Sequence, residues 1–279
     1  MQKKQATGII GFPLSHTLSP AMHNTVYKKY RMNREYLVYE TKPGELKAMI
    51  KRIKTEKIAG VNVTIPYKQA VMRYLDRVDR AARAIGAVNT IVNKKSGLIG
   101  YNTDYTGFLR TLKEKKIKLK DKKVVMFGAG GAAHAVAYAI NMQKPKEFHI
   151  YNIDIPMIEN LAEKIRLKNV CMGTLVKSAA KDDVIAAADL IINATSVGMN
   201  GKSAPYKISR LKKTAVVYDI IYNPPKTPLL KNAQKKGARI INGLDMLIYQ
   251  GMDSFKLWTG RNSDYKTVVR ALARVRGVK

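Results

Sequence analysis

Four apolar residues, Val124-Val125-Met126-Phe127, run directly into Gly128-Ala129-Gly130-Gly131-Ala132-Ala133. A short continuous apolar run suits a strand buried on both faces of a parallel sheet. The glycines turn it into a helix that is predicted to reach about Asn141. The spacing fits the pattern G-x-G-x-x-G/A, with Ala133 in the third slot. Gly128 permits the tight turn, Gly130 lets backbone approach a pyrophosphate, and Ala133 allows close packing of helix on strand. A pyrophosphate there would meet the free N–H groups and the dipole of the helix N-terminus. The alternative reading is a tight packing turn without a ligand.

The flanking sequence supports a strand–helix alternation. Phe148 to Asn152 reads as the next strand, a helix follows from Pro156, and further strands are expected at Leu190–Asn193, Val216–Ile220 and Arg239–Ile241. This is the pattern of a doubly wound, Rossmann-type sheet. Asp154 follows the second strand at the distance where an acidic residue hydrogen-bonds a ribose 2′-OH and repels a 2′-phosphate. That favours NAD over NADP. Asp154 also reads as a plain cap for the helix entered through Pro156.

The N-terminal part is a second α/β unit. Gly8–Gly11 is a predicted strand, and Ser19-Pro20 opens a helix with Pro at its first position. Glu35–Glu40 is a predicted strand with Leu37 and Tyr39 on one face, and Leu46–Ile53 is a helix with apolar residues at 46, 49, 50 and 53. Val61–Ile65 is a strand whose residues 61, 63 and 65 share a face, ended by Pro66. Lys68 then stands at the tip of a rigid element, where catalytic groups are often mounted; a solvated lysine is the other reading. A helix is expected from about Gln69, then a hairpin of Ala87–Asn93 with Leu98–Tyr101. A helix from Asp104 to about Lys115 leads into the dinucleotide-binding part, and from Met246 the chain reads as helical. The domains are therefore 1–104 with 246–279, and 105–245.

Composition narrows the classes. Of 279 residues, 46% are hydrophobic, a globular proportion. No apolar run reaches the length of a membrane span, and residues 1–5 lack the apolar stretch of a signal peptide. Cys171 is the single cysteine, which excludes an internal disulfide and fits a reducing, cytoplasmic setting. Lys and Arg number 51 against 20 Asp and Glu, a formal net charge of +31. The cations are dispersed, and no nucleic-acid recognition motif accompanies them. Weak, non-specific attraction to polyanions is expected at low salt; surface charging of a more neutral parent is the alternative account of the charge. In Met72–Arg80 the arginines fall on the predicted solvent face. His16 and His23, seven residues apart with no third ligand, read as structural, so no metal is expected.

Taken in order, several motifs resemble the shikimate dehydrogenase family, including its quinate/shikimate branch. They are Gly11 to Asn24, Val61 to Lys68, Gly86-Ala87-Val88-Asn89-Thr90, Gly100-Tyr101-Asn102-Thr103-Asp104, the glycine loop, Asn193 to Met199, Tyr218 to Pro224, and Asn242 to Gly251. The resemblance implies reversible NAD(P)-dependent reduction of 3-dehydroshikimate to shikimate, in aromatic amino acid biosynthesis, with quinate as an alternative substrate. It implies Lys68 and Asp104 as catalytic pair, and Thr17, Ser19, Thr64, Asn89, Tyr222 and Gln250 around the substrate. For the cofactor it implies Gly128, Ala129, Gly130, Gly131, Ala132, Asn152, Asp154, Thr195, Ser196, Val197, Ile220, Gly243 and Met246. A monomer or homodimer is expected, with the active site in the cleft between the two domains. Taken alone, Asp104 also reads as an N-cap.

The chain departs from the family pattern in three places. Thr17 stands where serine is usual, and its methyl narrows the carboxylate end. Asn152-Ile153-Asp154 replaces the Asn-Arg-Thr of NADP-using members, so the arginine for a 2′-phosphate is missing. Arg80 stands where an acid is common.

Overall fold

The structure, a computed structural model, describes residues 4–15, 17–168 and 170–275. It divides into two compact units, residues 1–107 with 248–279, and residues 108–247.

The first unit is built on a six-stranded sheet. Its strands are β1 (Gln5–Gly11), β2 (Arg34–Glu40), β3 (Gly60–Val63), β4 (Arg77–Val78), β5 (Thr90–Lys94) and β6 (Gly97–Tyr101). They lie in the order β2-β1-β3-β5-β6-β4. β1 is parallel to β2 and β3, whereas β5 runs antiparallel to both β3 and β6. Helices α1 (Ser19–Lys29), α2 (Leu46–Thr55) and α3 (Arg80–Ile85) complete its N-terminal part. The spacing of Leu46, Met49, Ile50 and Ile53 does what a 3.6-residue period demands. All four are buried in one core with Ile10, Val61 and Val63, each burial stabilising by about 2 kcal/mol. α3 is capped by Asp79, which accepts the Ala81 N–H at 3.0 Å, and it ends at Gly86 in the left-handed region, φ 72°.

Two local expectations fail here, the end of one strand and the helix after it. The predicted strand Val61–Ile65 ends at Val63; Thr64 N still donates to Ile10 O at 2.9 Å, but Ile65 turns outward and is 62% exposed. In β2 the buried tyrosines are Tyr36 and Tyr39, on opposite faces, while Leu37 is 37% exposed. β2 is an edge strand covered on both sides, so aromatic bulk rather than alternation decides burial. The helix expected from Gln69 is one short 3₁₀ stretch, Ala70–Tyr74. As expected, Arg73, Arg77 and Arg80 are exposed.

The second unit is an all-parallel sheet of β7 (Lys123–Phe127), β8 (Glu147–Asn152), β9 (Val170–Thr174), β10 (Leu190–Asn193), β11 (Val216–Asp219) and β12 (Arg239–Ile241). Their order is β12-β11-β10-β7-β8-β9. The chain winds outward from β7 in one direction, then restarts at β10 on its other side, so the doubly wound expectation holds. Helices α4 (Asp104–Glu114), α5 (Gly131–Met142), α6 (Ile155–Ile165), α7 (Ala179–Ala186) and α8 (Pro228–Lys235) alternate with the strands, and α9 (Leu244–Thr259) and α10 (Tyr265–Val275) follow. β9, α7 and α8, with β4 and α3 of the first unit, were not legible in the pattern. β9 is an edge strand whose Cys171, Met172 and Thr174 are exposed, so it lacks the apolar run that marks its neighbours. No helix among the described residues is long and apolar enough to cross a membrane.

His23, on α1, is 1% exposed and stacks on Tyr36 with ring centroids 4.4 Å apart and planes 7° apart. Its Nε2 has no hydrogen-bond partner among the described residues. Burial pushes its pKa down from 6.5 to about 3. The unfolded chain therefore binds a proton that the folded chain refuses between these values, and His23 costs stability increasingly as pH falls through 6.5 toward 3. A His23→Phe variant should lose less melting temperature than the parent between pH 7 and pH 4, read by parallel thermal melts. Identical pH slopes would dismiss the assignment. His16, the other histidine considered for a metal, lies outside the described residues. No cluster of three or more His, Cys, Asp or Glu among those described could hold a metal ion.

Candidate functional site

Two constellations, one in each unit, carry the predicted site residues. In the first, the chain leaves β3 through Thr64 and the cis Ile65–Pro66 bond. It closes a turn in which Tyr67 N donates to Thr64 O at 2.9 Å. Tyr67 anchors the turn from below: it is 6% exposed and its hydroxyl donates to Thr41 O at 2.8 Å. Lys68 follows, with its carbonyl accepting Val88 N at 2.7 Å. The backbone on both sides of this lysine is thus tied to the sheet.

The Lys68 ammonium donates to Asp104 Oδ2 at 2.6 Å, and the two side chains are only 14% and 9% exposed. Asp104 is the first residue of α4, yet it is not the cap. Asn102 Oδ1 accepts the N–H groups of Asp104 and Tyr105 at 3.0 and 3.4 Å. Asp104 is therefore released from capping, and its second oxygen, Oδ1, accepts from Asn89 Nδ2 at 2.9 Å. A carboxylate receiving an ammonium on one oxygen and an amide on the other is held in one orientation.

Asn89 is held in turn. Its Nδ2 also faces Thr103 Oγ1 at 2.9 Å and Gln250 Oε1 at 3.3 Å, and its Oδ1 accepts Thr103 N at 2.6 Å. Gln250 arrives from α9, which puts Lys68, Asn89, Asp104 and Gln250 in one connected group. Thr64 lies on the turn before Lys68 and is partly buried. Thr17 and Ser19 sit where the chain enters α1: Thr17 Oγ1 accepts Ser19 N at 3.3 Å, and Ser19 is 5% exposed. Ser19 also hydrogen-bonds the Tyr36 phenol, which burial raises well above its ordinary pKa. Six of the eight catalytic and substrate residues expected from sequence, with Lys68 and Asp104 foremost, thus cluster through contacts or adjacent turns of one unit, and Gln250 joins them. Tyr222 belongs to the other unit, on the loop after β11.

The second constellation surrounds the carboxyl ends of β7, β8, β10 and β11. Gly128 has φ +108°, and a Cβ there would meet Thr195 Cγ2 at 2.8 Å. Gly130 is different: its φ of −78° suits any residue, and a Cβ would meet no atom within 4 Å. Gly128 is therefore required by conformation, and Gly130 keeps a space open at the N-terminus of α5. Gly131 and Ala132 form the first turn of that helix, and no side chain caps it. Ala129 is 2% exposed. A pyrophosphate fits this cradle, since it needs room and unpaired N–H groups together.

Asn152, at the end of β8, is 7% exposed and its Nδ2 donates to Asp154 O at 3.0 Å. Asp154 occupies the N-cap position of α6 without making a side-chain cap bond, so the capping role read from sequence is not what it does. The carboxylate is exposed, beside Ile153 at 84% exposure. Thr195 is fixed by Asn193 Oδ1, which accepts both its N–H at 3.0 Å and its hydroxyl at 2.7 Å. Ser196 follows, and Val197 N donates to Thr195 Oγ1 at 3.0 Å. Ile220 and Gly243 meet where β11 and β12 end, with Gly243 N donating to Ile221 O at 3.0 Å; Met246 is buried on α9.

One residue inside a quoted motif is not singled out by the sequence. Asp219 Oδ1 accepts Asn193 Nδ2 at 3.1 Å and Ile221 N at 3.0 Å, and its Oδ2 accepts the Thr227 hydroxyl at 2.6 Å. Asp219 is fully buried and makes no ion pair among the described residues, and burial raises its pKa. It ties the loop after β10 to the loop after β11. The only sequence signal for this was an acid closing an apolar strand.

The family description "Shikimate dehydrogenase substrate binding domain" matches residues 9–91, "Shikimate / quinate 5-dehydrogenase" matches 111–221, and "Shikimate 5'-dehydrogenase C-terminal domain" matches 243–273. The chain is 43% identical over 274 residues to the shikimate dehydrogenase (NADP(+)) of Methanocaldococcus jannaschii, covering 97% of this chain and 96% of that one. The chain belongs to the shikimate dehydrogenase family. A second relative, the shikimate dehydrogenase (NADP(+)) of Dehalococcoides mccartyi strain BAV1, is 40% identical over 267 residues, covering 94% and 93%. Among solved structures of similar proteins, the Listeria monocytogenes shikimate 5-dehydrogenase, in complex with shikimate and NAD, aligns with TM-score 0.88 at 33% identity, covering 98% and 97%. The Corynebacterium glutamicum quinate dehydrogenase, in complex with NAD, aligns with TM-score 0.89 at 33% identity, covering 97% and 99%.

The contrast between the two loop glycines gives a direct test. Gly128→Ala should destabilise the protein by about 1–3 kcal/mol, the range for a strained left-handed position. Gly130→Ala should leave the denaturation midpoint unchanged. Chemical denaturation of both variants measures this, and equal losses would remove the distinction.

Proposed function

We propose that this protein catalyses the reversible reduction of 3-dehydroshikimate to shikimate. The carrying observation is the buried Lys68–Asp104 pair at 2.6 Å, mounted on a turn fixed to the sheet. Reducing a ketone requires hydride at carbon and a proton at oxygen. The nicotinamide dinucleotide, when bound, supplies the hydride or takes it back. Lys68 gives the proton to the oxygen and stabilises the negative charge developing there. Asp104, accepting from both Lys68 and Asn89, keeps the ammonium charged and aimed. Thr17 and Ser19 are read as holding the substrate carboxylate, with Thr64, Asn89, Gln250 and Tyr222 around the hydroxylated ring. Residues 1–104 with 246–279 would then serve the substrate, and 105–245 the dinucleotide.

The Methanocaldococcus and Dehalococcoides relatives are named NADP(+) enzymes, while the Listeria and Corynebacterium structures are complexes with NAD; Asp154 supports NAD as the preferred cofactor of this chain. The Asp154 carboxylate is exposed and uncommitted to capping, so it can accept a ribose 2′-OH, and its charge opposes a 2′-phosphate. The side chain at 153 is isoleucine, which offers a phosphate nothing. Quinate remains the alternative substrate, and the methyl of Thr17 at the carboxylate end is the residue on which that choice turns.

Steady-state assays with shikimate or quinate and with NAD or NADP, followed by nicotinamide absorbance, test these statements together. No reduction with any pair would end the enzyme reading. Lys68→Ala should lower kcat by about 10²- to 10⁴-fold, the usual worth of a general acid, with dinucleotide affinity unchanged. Asp154→Ala should raise the Kd for NAD and lower that for NADP, measured by quenching of protein fluorescence. Parallel changes for the two would dismiss the ribose contact.

A further inference from the structure

Behind the Lys68–Asp104 pair lies a buried polar cluster that the reaction itself does not call upon. It contains Asn62 of β3, Thr90 of β5, Thr103 and Ser254, which are 6%, 0%, 4% and 0% exposed, and it reaches Tyr36 of β2. Its hydrogen bonds have a direction that can be worked out. Asn89 Oδ1 accepts Thr103 N at 2.6 Å. A backbone N–H cannot accept, so the Asn89 carbonyl must face it and the NH₂ must face Asp104. Asn62 is fixed by the same logic. Its Nδ2 faces the Asn89 backbone carbonyl at 3.3 Å, Thr90 Oγ1 at 3.2 Å and Ser254 Oγ at 2.9 Å, and its Oδ1 accepts the Tyr36 hydroxyl at 2.8 Å.

Asn62 therefore feeds protons into the hydroxyl cluster, and the hydroxyl protons must point away from it. The acceptors in reach are Asn89 Oδ1, at 3.0 Å from Thr90 and 3.2 Å from Thr103, and Gln250 O at 3.0 Å from Ser254, whose Oγ also lies 2.8 Å from Thr90 Oγ1, where either hydroxyl can donate. With Ser254 as the donor to Thr90, an unbroken donation path runs from Tyr36 to Asn62, to Thr90, to Asn89, and ends on Asp104.

We propose that Asn62 and Thr90 are positioning residues, which set this direction and so hold the Asn89 amide against Asp104 and the pair in its reactive orientation. The proposal rests on the reading of Lys68 and Asp104 as the catalytic pair. Thr90→Val keeps the shape and removes the proton given to Asn89. Asn62→Asp keeps the shape and, when ionised, reverses the direction, because a carboxylate only accepts.

The experiment measures kcat, KM for shikimate, dinucleotide Kd and melting temperature for the parent, Thr90→Val, Thr90→Ser and Asn62→Asp from pH 5 to pH 9. Misaligning the pair should cost Thr90→Val about tenfold or more in kcat, with KM within about threefold. Thr90→Ser should restore kcat to within about threefold of the parent. The Asn62→Asp defect should shrink at acidic pH, where the buried carboxyl takes up a proton and can donate again. Parental kcat in Thr90→Val, a serine variant as slow as the valine one, or an Asn62→Asp profile parallel to the parent's would each overturn the proposal. If Thr90→Val melts early, the serine rescue and the Asn62→Asp profile decide alone. A parent protein with no turnover on shikimate would instead remove the underlying reading, a separate outcome.

Discussion

The carboxylate of Asp104 is the point on which the first unit turns. It sits at the start of α4 and accepts from Lys68 and Asn89, and its immediate chain neighbours, Asn102 and Thr103, serve as cap and as donor to Asn89. Removing an ion from water costs several kcal/mol, and mutual attraction offsets this only when the geometry is good and the remaining lone pairs are satisfied. Here both oxygens have a donor. The ends of β3 and β5, the start of α4 and the middle of α9 must all be in place for that to hold. A chemically useful lysine is thereby made a condition of the local fold.

The second unit repeats the device without the cation. Asp219 ends β11 as a fully buried carboxylate held by an asparagine, a hydroxyl and a backbone N–H. Both aspartates gather loops at strand or helix ends through an asparagine amide. They differ in what faces them. Among the described residues Asp219 makes no ion pair, and burial raises its pKa, whereas Asp104 carries Lys68 at 2.6 Å. An acid that only organises loops tolerates the first environment. Under the role proposed for Lys68, its partner acid requires the second.

What could be read from the chain follows from how local the cause is. β10 and β12 match their predicted limits, because a continuous apolar run flanked by polar residues is a local signal. The helix Leu46–Thr55 was legible from its apolar stripe. β9 was not, since its outer face is solvent and its pairing with β8 supplies what its own residues lack. Lys68 and Asp104 stood out as residues with two readings each. Their separation of 36 positions along the chain hides that they touch. The cap on α4 is the clearest case: an aspartate at a helix start is the ordinary N-cap, and only the three-dimensional arrangement shows Asn102 taking that role. The hydroxyl cluster lay beyond reach altogether, because Thr90, Thr103 and Ser254 are unremarkable residue types whose meaning comes from being packed together without water.

The charge of the chain also separates into a diffuse part and a local one. With 51 cations and 20 anions, most basic residues lack an acidic partner, and the net field is strongly positive. Pairs that do form on the surface, such as Lys29–Asp264 and Arg52–Glu56, have side chains about half exposed. Such contacts are worth about 0–1 kcal/mol, and at physiological salt their influence fades within roughly 8 Å. The surface field can therefore raise the encounter rate with an anionic substrate or dinucleotide, in a salt-dependent way. It cannot choose between them, because both are anions. Discrimination must come from groups whose positions are fixed and whose water has been excluded. Among the basic side chains, Lys68 meets that condition at the first unit's site, through a partner that is itself held by two further donors.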